Sequence, residues 1–472
     1  MSKIVVLGAG VVGLCTAMLL ADDGHEVTVL ERDGDEPVAT ADEAWDDWDR
    51  RGVNQFRLPH FFLARYRSIL DAELPRVSAS IEAVGGLRTN IVLDIPESVR
   101  GPARPGDARF EILTARRPVM ELAVSTEASS TRGVEVRRGV AAEALLTAPS
   151  PHARTTHVVG VRTSDGEELR ADLVVDVMGR RSPLPRLLED VGGRPPDEEL
   201  EDFGFMYYGR HYRSADGSLP FAFGPGLQHC GTISSLTLGA DNGTWGVTLI
   251  ASAADKELLG LRDLDRFEQV VRSMPLVAHW LDGEPIEQRV ITISKIEDRI
   301  RHYVVDGTPV ATGVVSIGDA WACSNPSLGR GASIGLLHGI TLRELLRDAD
   351  LGDPMDFAVA FAAATDATVM PWFVWTRRQD RQRIAEITAG IRGEPYEPAD
   401  DGEELERCLT SATAKDPDLL RHVIAAAMVL EPLDAALCDP ATVARIRELG
   451  SGWRDDPLVG PDREALLAIA GR

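Results

Sequence analysis

The chain has 472 residues, with 50 Lys+Arg against 74 Asp+Glu and a formal net charge of −24. That length exceeds one comfortable core, since domains usually run to about 100–200 residues, so two or three cooperating units are expected. Hydrophobic residues at 44% and charged residues at 26% exclude disorder of the whole chain, and the acidic balance excludes nucleic acid and anionic membrane as partners, both of which it repels.

Lys3 to Leu7 reads as a fully buried strand, Gly8 to Gly13 as a glycine turn, Val11 to Ala21 as a helix, and Glu26 to Leu30 as a second strand ending at Glu31. Residues 4–21 are almost wholly apolar. Only Lys3 precedes them and glycines break them, so neither a signal peptide nor a membrane span is expected there. Residues 33–57 are acidic and read as an irregular excursion, followed by helical periodicity over 61–74. Strands are expected at Ile91 to Glu97, Phe110 to Leu113 and Val134 to Val136, with a helix at Arg117 to Ser129 between the last two. Val158 to Thr163 and Glu168 to Leu169 flank an S-D-G-E turn and predict a hairpin; Leu173 to Val177 is another buried strand.

Near residue 200 the pattern changes. Phe203 to Tyr212 alternates and is aromatic, and Thr232 to Leu238 and Thr244 to Ala251 flank an Asn-Gly turn, which predicts a separate antiparallel sheet. Leu264 to Met274 is helical, Val310 to Ile317 is a strand, a helix starts at about Gly331, and the last hundred residues are mostly helical. Cys15, Cys230, Cys323, Cys408 and Cys438 form no C-x-x-C pair, and the ten histidines show no ligand spacing. A reducing, cytoplasmic setting without a disulfide framework or metal site is therefore expected.

Gly8-Ala9-Gly10-Val11-Val12-Gly13 is G-x-G-x-x-G between a strand and a helix, and Glu31 closes the second strand. That context is the dinucleotide fingerprint. Gly8 permits a tight turn, Gly10 lets a pyrophosphate approach, Gly13 lets helix and strand pack, and the helix N-terminus faces the phosphates. Glu31 can accept from ribose hydroxyls. The motif alone leaves FAD and NAD both open. Three later segments complete the set: Arg117 in TARRPVMEL, VVDVMGRRSPLPRLL at 174–188, and VVSIGDAWACSNPSLGRGASIGLLHG at 314–339.

In this order and spacing the segments resemble the FAD-dependent monooxygenase superfamily of aromatic hydroxylases and squalene-type epoxidases, most of all bacterial polyether-epoxidase-like members, over residues 1 to about 390. The resemblance implies the class α/β (α+β): a Rossmann-like FAD-binding domain with an inserted antiparallel-sheet substrate domain and a helical C-terminal region. The implied units are 1–200 (FAD-binding, with a substrate-side excursion at about 33–110), 201–300 (substrate sheet), 301–365 (closing the FAD-binding domain) and 366–472 (helical). It implies that Gly8, Ala9, Gly10, Val11, Val12 and Gly13 hold the pyrophosphate, Glu31 the ribose, and Arg32 and Ala142 the adenine. Arg117 contacts the FAD chain, with Arg116 as a substitute. Asp319 bonds the ribityl, and Gly331, Ala332 and Ser333 point N–H groups at the flavin N1–C2=O edge, where reduced flavin carries negative charge.

Gln55, His60 and Trp321 are candidates for the reacting side, with His60 either a general acid–base group or a hydrogen-bonded structural residue. Tyr207, Tyr208, Trp245 and Pro326 are candidates for the substrate pocket; the aromatic run is either pocket wall or sheet core. The implied chemistry is O2 activation as a flavin C4a-(hydro)peroxide, with epoxidation or hydroxylation of a lipophilic substrate in secondary metabolism. NADPH or NADH is the ultimate electron donor, directly or through a flavin reductase. Val177-Met178-Gly179 stands where hydroxylases have A-D-G, which argues against direct hydride uptake; no W-x-W-x-I-P occurs and Lys295 reads as solvated, which argues against halogenation. The alternatives are an FAD-dependent reductase of isoprenoid-like double bonds and a catalytically idle FAD-binding scaffold, the latter opposed by the intact Pro326 to Ser333 turn.

Overall fold

The computed structural model describes residues 1–53, 55–150, 152, 155–349 and 351–471. Its centre is a five-stranded sheet in the order Val314–Ser316, Leu173–Asp176, Lys3–Leu7, Glu26–Glu31, Val134–Arg138, with every neighbouring pair parallel. Parallel strands need cover on both faces, which is why the second and third of these, Leu173–Asp176 and Lys3–Leu7, are unbroken apolar runs of LVV and IVVL. Ile4 and Val6 pack against Leu14 and Met18 of the helix Val11–Asp22 and Leu336 of the helix Gly331–Asp348. Val5 and Leu7 pack on the opposite face against Leu145, Val161 and Leu187. Those residues belong to an antiparallel layer of Ala142–Ala148 and Thr156–Thr163, and to the helix Leu184–Asp190. Helix, parallel sheet and antiparallel sheet thus form three layers, in keeping with the α/β expectation.

Three local expectations are corrected. The strand expected over Ile91 to Glu97 instead runs Leu87–Asn90: the Asn90 Oδ1 accepts the N–H groups of Val92 and Leu93, both at 3.1 Å, and this side-chain turn ends the strand. The excursion after Glu31 contains a helix, Ala41–Asp46. Its Thr40 and Glu43 form a reciprocal capping box, a signal present in the sequence as T-x-x-E. The single strand expected over Val310 to Ile317 is broken at Gly313, whose φ is +70°. Ala311–Thr312 pairs with Thr156 and His157, and Val314–Ser316 with Val174 to Asp176. A Cβ at Gly313 would lie 2.0 Å from the Val158 carbonyl oxygen, so only glycine passes the chain from one sheet to the other.

The second sheet is antiparallel, in the order Leu227–Cys230, Ile233–Gly239, Thr244–Ser252, Phe205–Arg213, with Glu284–Pro285 and Ile291–Ser294 also on the last of these. Asn242 and Gly243, both at positive φ, make the expected tight hairpin. One face buries Met206, Tyr208, Tyr212, Trp245 and Leu249 under the helices Leu264–Arg272 and Arg463–Ala470. The other carries Phe205, Tyr207 and Ile250 against Leu58 and Ile387. In the C-terminal region, Asp416-Pro417 and Asp439-Pro440 each set a helix start, with Asp at the cap accepting first-turn N–H groups. Among the described residues no single helix is long and apolar enough to cross a membrane.

Candidate functional site

The nucleotide turn separates the roles of its glycines. Gly8 has φ +108°, and a Cβ there would lie 2.7 Å from the Val177 carbonyl oxygen. A Cβ on Gly13 would lie 2.1 Å from the Gly8 oxygen, so the helix could not close onto the strand. Gly10 is different: its φ of −78° suits any residue, and a Cβ would meet nothing within 4 Å. The space it leaves open belongs to a cavity also lined by Gly8, Val11, Val12, Gly13, Glu31, Arg32 and Ala142. Ala9 does not line it; it is buried and donates its N–H to Glu31 Oε2 at 3.0 Å.

Glu31 is nearly used up by the protein. Its Oε2 accepts from Ala9 and from Arg50 Nη2 at 2.6 Å, and its Oε1 accepts the Asp33 N–H at 3.0 Å. With about two lone pairs per oxygen, one acceptor position remains for a ribose hydroxyl. Arg50 is the residue that sequence reasoning missed. Almost fully buried, it also reaches the Ala9 carbonyl and Glu121, both at 3.3 Å, and it lines the same cavity. Burial opposes its charge, but the Glu121, Glu31 and Asp33 carboxylates outweigh that and raise its pKa. The signal was the Arg-Arg-Gly following an acidic stretch, which singles out neither arginine.

Arg117 and Arg116 are resolved by the structure. Arg117 lines the cavity and its Nε donates to Glu121 at 2.8 Å. Arg116 points away into the protein, where its Nη2 meets Asp241 at 2.7 Å with both side chains at 0% exposure. Arg116 therefore cannot substitute for its neighbour at the cavity.

Beside the nucleotide turn, with Gly318 next to Val12, the strand Val314–Ser316 delivers Asp319 through a turn at Gly318, φ +58°. Asp319 lines the cavity and accepts no hydrogen bond from the described residues, so its acceptors are open to a ligand hydroxyl. Burial raises its pKa, with Arg117 and Arg180 opposing. Its Oδ1 lies 3.5 Å from where a Gly331 Cβ would be, which puts it against the start of the helix Gly331–Asp348. Gly331 and Ala332 line the cavity with first-turn N–H groups that the helix itself cannot satisfy. The Ser333 side chain is wholly buried and does not line the cavity.

Of the candidates for the reacting side, Gln55, His60 and Pro326 share this cavity. The His60 Nδ1 lies 2.9 Å from the Leu58 carbonyl, and burial, with Arg117 nearby, pushes its pKa down to about 3. The ring is thus neutral at pH 7, with Nδ1–H donating and Nε2 left as an acceptor. Trp321 is a correction: it lies outside the cavity wall, in a cluster with His338 and Phe373 at 5.1 and 6.3 Å between ring centres. Tyr208 and Trp245 are also corrected. They sit on the sheet face turned away from the cavity, where the Trp245 indole N–H donates to the Trp280 carbonyl at 2.8 Å and its ring stacks on Tyr212. Tyr207 is on the opposite face, as strand alternation requires, but it too is outside the wall; its hydroxyl donates to Asn325, which does line the cavity.

The cavity is continuous and measures about 1670 Å³. Ligand sites usually measure about 300–1,000 Å³, so there is room for a dinucleotide and a second molecule. It also has an apolar arm lined by Leu93, Ile95 and Val99 and by Leu420, Val423 and Ile424, where the helices Glu97–Arg100 and Pro417–Ala427 pack together. Among the described residues no group of three or more His, Cys, Asp or Glu is placed to hold a metal ion.

Residues 3–44 match the family model described as FAD dependent oxidoreductase. Protein Rv3254 of Mycobacterium tuberculosis is 28% identical over 386 residues, covering 79% of this chain and 78% of that protein. The structure of PqsL, a probable FAD-dependent monooxygenase from Pseudomonas aeruginosa, matches with a TM-score of 0.56 at 17% identity, over 82% of this chain and 96% of that one. The Diels-Alderase PyrE3 of the pyrroindomycin pathway matches with a TM-score of 0.58 at 18% identity, over 92% of this chain and 81% of that one. The fold is that of these flavoenzyme structures, and residues 3–44 carry the sequence pattern of the FAD dependent oxidoreductase model.

Proposed function

We propose that the chain is a cytoplasmic FAD-dependent monooxygenase that epoxidises or hydroxylates a lipophilic small molecule in secondary metabolism, with the four units divided as the sequence suggests. The observation that carries this reading is the single cavity that has Gly10, Asp319, Gly331 and the apolar arm together in its wall. FAD fits it. The open side of Gly10 and the helix start at Val11 receive the pyrophosphate. Glu31 offers its remaining lone pair to the ribose, Arg32 and Ala142 flank the adenine, and Arg117 stands over the chain. Asp319 accepts from the ribityl, and the Gly331 and Ala332 N–H groups face the flavin edge, while Ser333, outside the cavity, takes no part.

Bound and reduced, FAD supplies the electron pair that lets one atom of O2 pass to an electron-rich carbon while the other leaves as water. The chain's own residues do the rest. The apolar arm holds the substrate body and excludes water. Neutral His60 offers Nε2 as a hydrogen-bond acceptor and brings no positive charge near the reacting carbon. With 18O2 and reduced enzyme, the product should carry one 18O; a saturated product without label would instead make the enzyme a reductase of isoprenoid-like double bonds.

Two further results are expected. Asp319→Ala should weaken FAD binding ten- to hundredfold, since losing one charge-assisted bond costs about 1.5–3 kcal/mol. Its unfolding temperature without FAD should not fall, because the carboxylate holds no protein donor; unchanged FAD affinity by fluorescence titration would remove Asp319 from the site. Electron delivery is the second. Met178 lines the cavity where the hydroxylases carry an acid, so NADH or NADPH alone should reduce the flavin slowly, and a separate flavin reductase should raise turnover. Anaerobic stopped-flow bleaching at many turnovers per second with nicotinamide alone would overturn that expectation.

A further inference from the structure

The segment Asn325 to Arg330 joins the Asp319 turn to the helix Gly331–Asp348, and Asn325, Pro326, Ser327 and Arg330 all line the cavity. Its own backbone holds it weakly: one 3-10 turn, Pro326–Leu328, closed by Gly329 at φ +64°. Side chains from elsewhere fix it. The Asn325 N–H donates to Asp298 Oδ1 at 2.7 Å, and its carboxamide oxygen accepts the Tyr207 hydroxyl. Its Nδ2 donates to Asp380 Oδ1 at 2.8 Å and to Ser327 Oγ at 3.1 Å, and Ser327 Oγ in turn donates to Asp380 Oδ1 at 3.4 Å. Asp380 is thus the terminal acceptor on which both side chains of the turn converge.

Asp380 belongs to the helix Met370–Arg392 of the C-terminal region. The same helix grips the other end of the turn. Arg330 Nη1 donates to Thr376 Oγ1 at 2.9 Å, and its guanidinium lies 3.7 Å from the Trp375 ring centre. Thr376 and Asp380 are four residues apart and share a helix face. Asp380 is 2% exposed, and its Oδ2 is buried without a partner. Burying such an oxygen is costly, and an apolar residue would fill the space at less cost. Stability alone does not account for a carboxyl there.

We propose that Asp380 is a positioning residue for the cofactor: by accepting from Asn325 and Ser327 it fixes the turn that sets the helix start at Gly331 relative to Asp319. The proposal rests on the reading that the cavity holds FAD. Helix N–H groups aimed at the flavin edge stabilise the reduced, negatively charged form more than the oxidised one. Displacing the helix start therefore weakens binding of reduced FAD more than of oxidised FAD. Burial, with Asp298 adding to it, raises the Asp380 pKa, while Asn325, Arg330 and Ser327 oppose. A neutral carboxyl still offers Oδ1 as an acceptor, so the geometry needs an oxygen here, not a charge.

The test compares wild type, Asp380→Asn, Asp380→Ala and Asp380→Leu by redox titration of bound FAD, with thermal unfolding alongside. The Asn variant keeps the acceptor and should hold the ratio of reduced to oxidised affinity within threefold of wild type. The Ala and Leu variants should lose at least tenfold in that ratio, a fall in midpoint potential of about 30 mV for a two-electron couple. The Leu variant fills the buried space and should remain folded if the Ala variant does not. An unchanged ratio in FAD-loaded Leu or Ala protein, whatever its unfolding temperature, overturns this proposal alone. Wild-type protein that takes up no FAD overturns the cofactor reading and this proposal with it.

Discussion

Gly10→Val should give a folded, colourless protein. The new side chain meets no protein atom within 4 Å at its Cβ, and the backbone at φ −78° and ψ 172° accepts valine. Exchanging one poor side-chain cap for another at this helix start costs at most about 1 kcal/mol. The methyl groups would instead occupy the space open to a pyrophosphate, so FAD retention should drop below detection while the unfolding transition stays within a few degrees of the apoprotein's. Absorbance of the purified variant in the flavin bands, with calorimetry, checks both halves. Gly13→Val is the contrast: its Cβ would sit 2.1 Å from the Gly8 carbonyl oxygen, so it should fail to fold. A Gly10→Val protein that stays yellow would place the cofactor elsewhere.

A large loss of stability is expected at Arg116. Its Nε and Nη2 fork onto Asp241, its own N–H donates to Asp241 Oδ1 at 2.7 Å, and its guanidinium lies 5.0 Å from the Trp45 ring centre. The pair ties the start of the helix Arg117–Ser130 to the hairpin turn of the second sheet. Arg116→Met leaves the Asp241 charge buried and unpaired, which costs about 3–5 kcal/mol, a large share of the roughly 5–15 kcal/mol that a folded protein commands. Arg116→Met with Asp241→Asn removes the stranded charge and keeps an acceptor for the Arg116 N–H, so it should recover much of the loss. Urea unfolding of the two variants measures this; a double variant no better than the single one would mean the charge is not the cause.

The glycine turn was legible because each feature there is a local steric or chemical constraint. Gly8 and Gly13 have no room for a Cβ, and Glu31 ends a strand of clear pattern. Faces were harder. Alternation separates Tyr207 from Tyr208, yet nothing local says which of the two looks toward the cavity, and both proved to be packed or bonded within the protein. Trp321 stands two residues after Asp319, at the end of the 3-10 turn Gly318–Ala320, and packs into the core. Arg50 and Asp380 were out of reach for another reason. Their partners lie 17 to 71 and 53 to 55 residues distant along the chain, and only the assembled layers bring them together.

A space of about 1670 Å³ is bordered by the nucleotide turn, the second sheet and the C-terminal helices alike. FAD that binds there binds the folded chain and not the unfolded one, so by mass action it adds about 2.7 kcal/mol of stability at a hundred times its dissociation constant and about 4.1 at a thousand times. The folded fraction then becomes a function of free flavin. A cell short of flavin would hold less of the protein through unfolding and proteolysis, with no change in its synthesis.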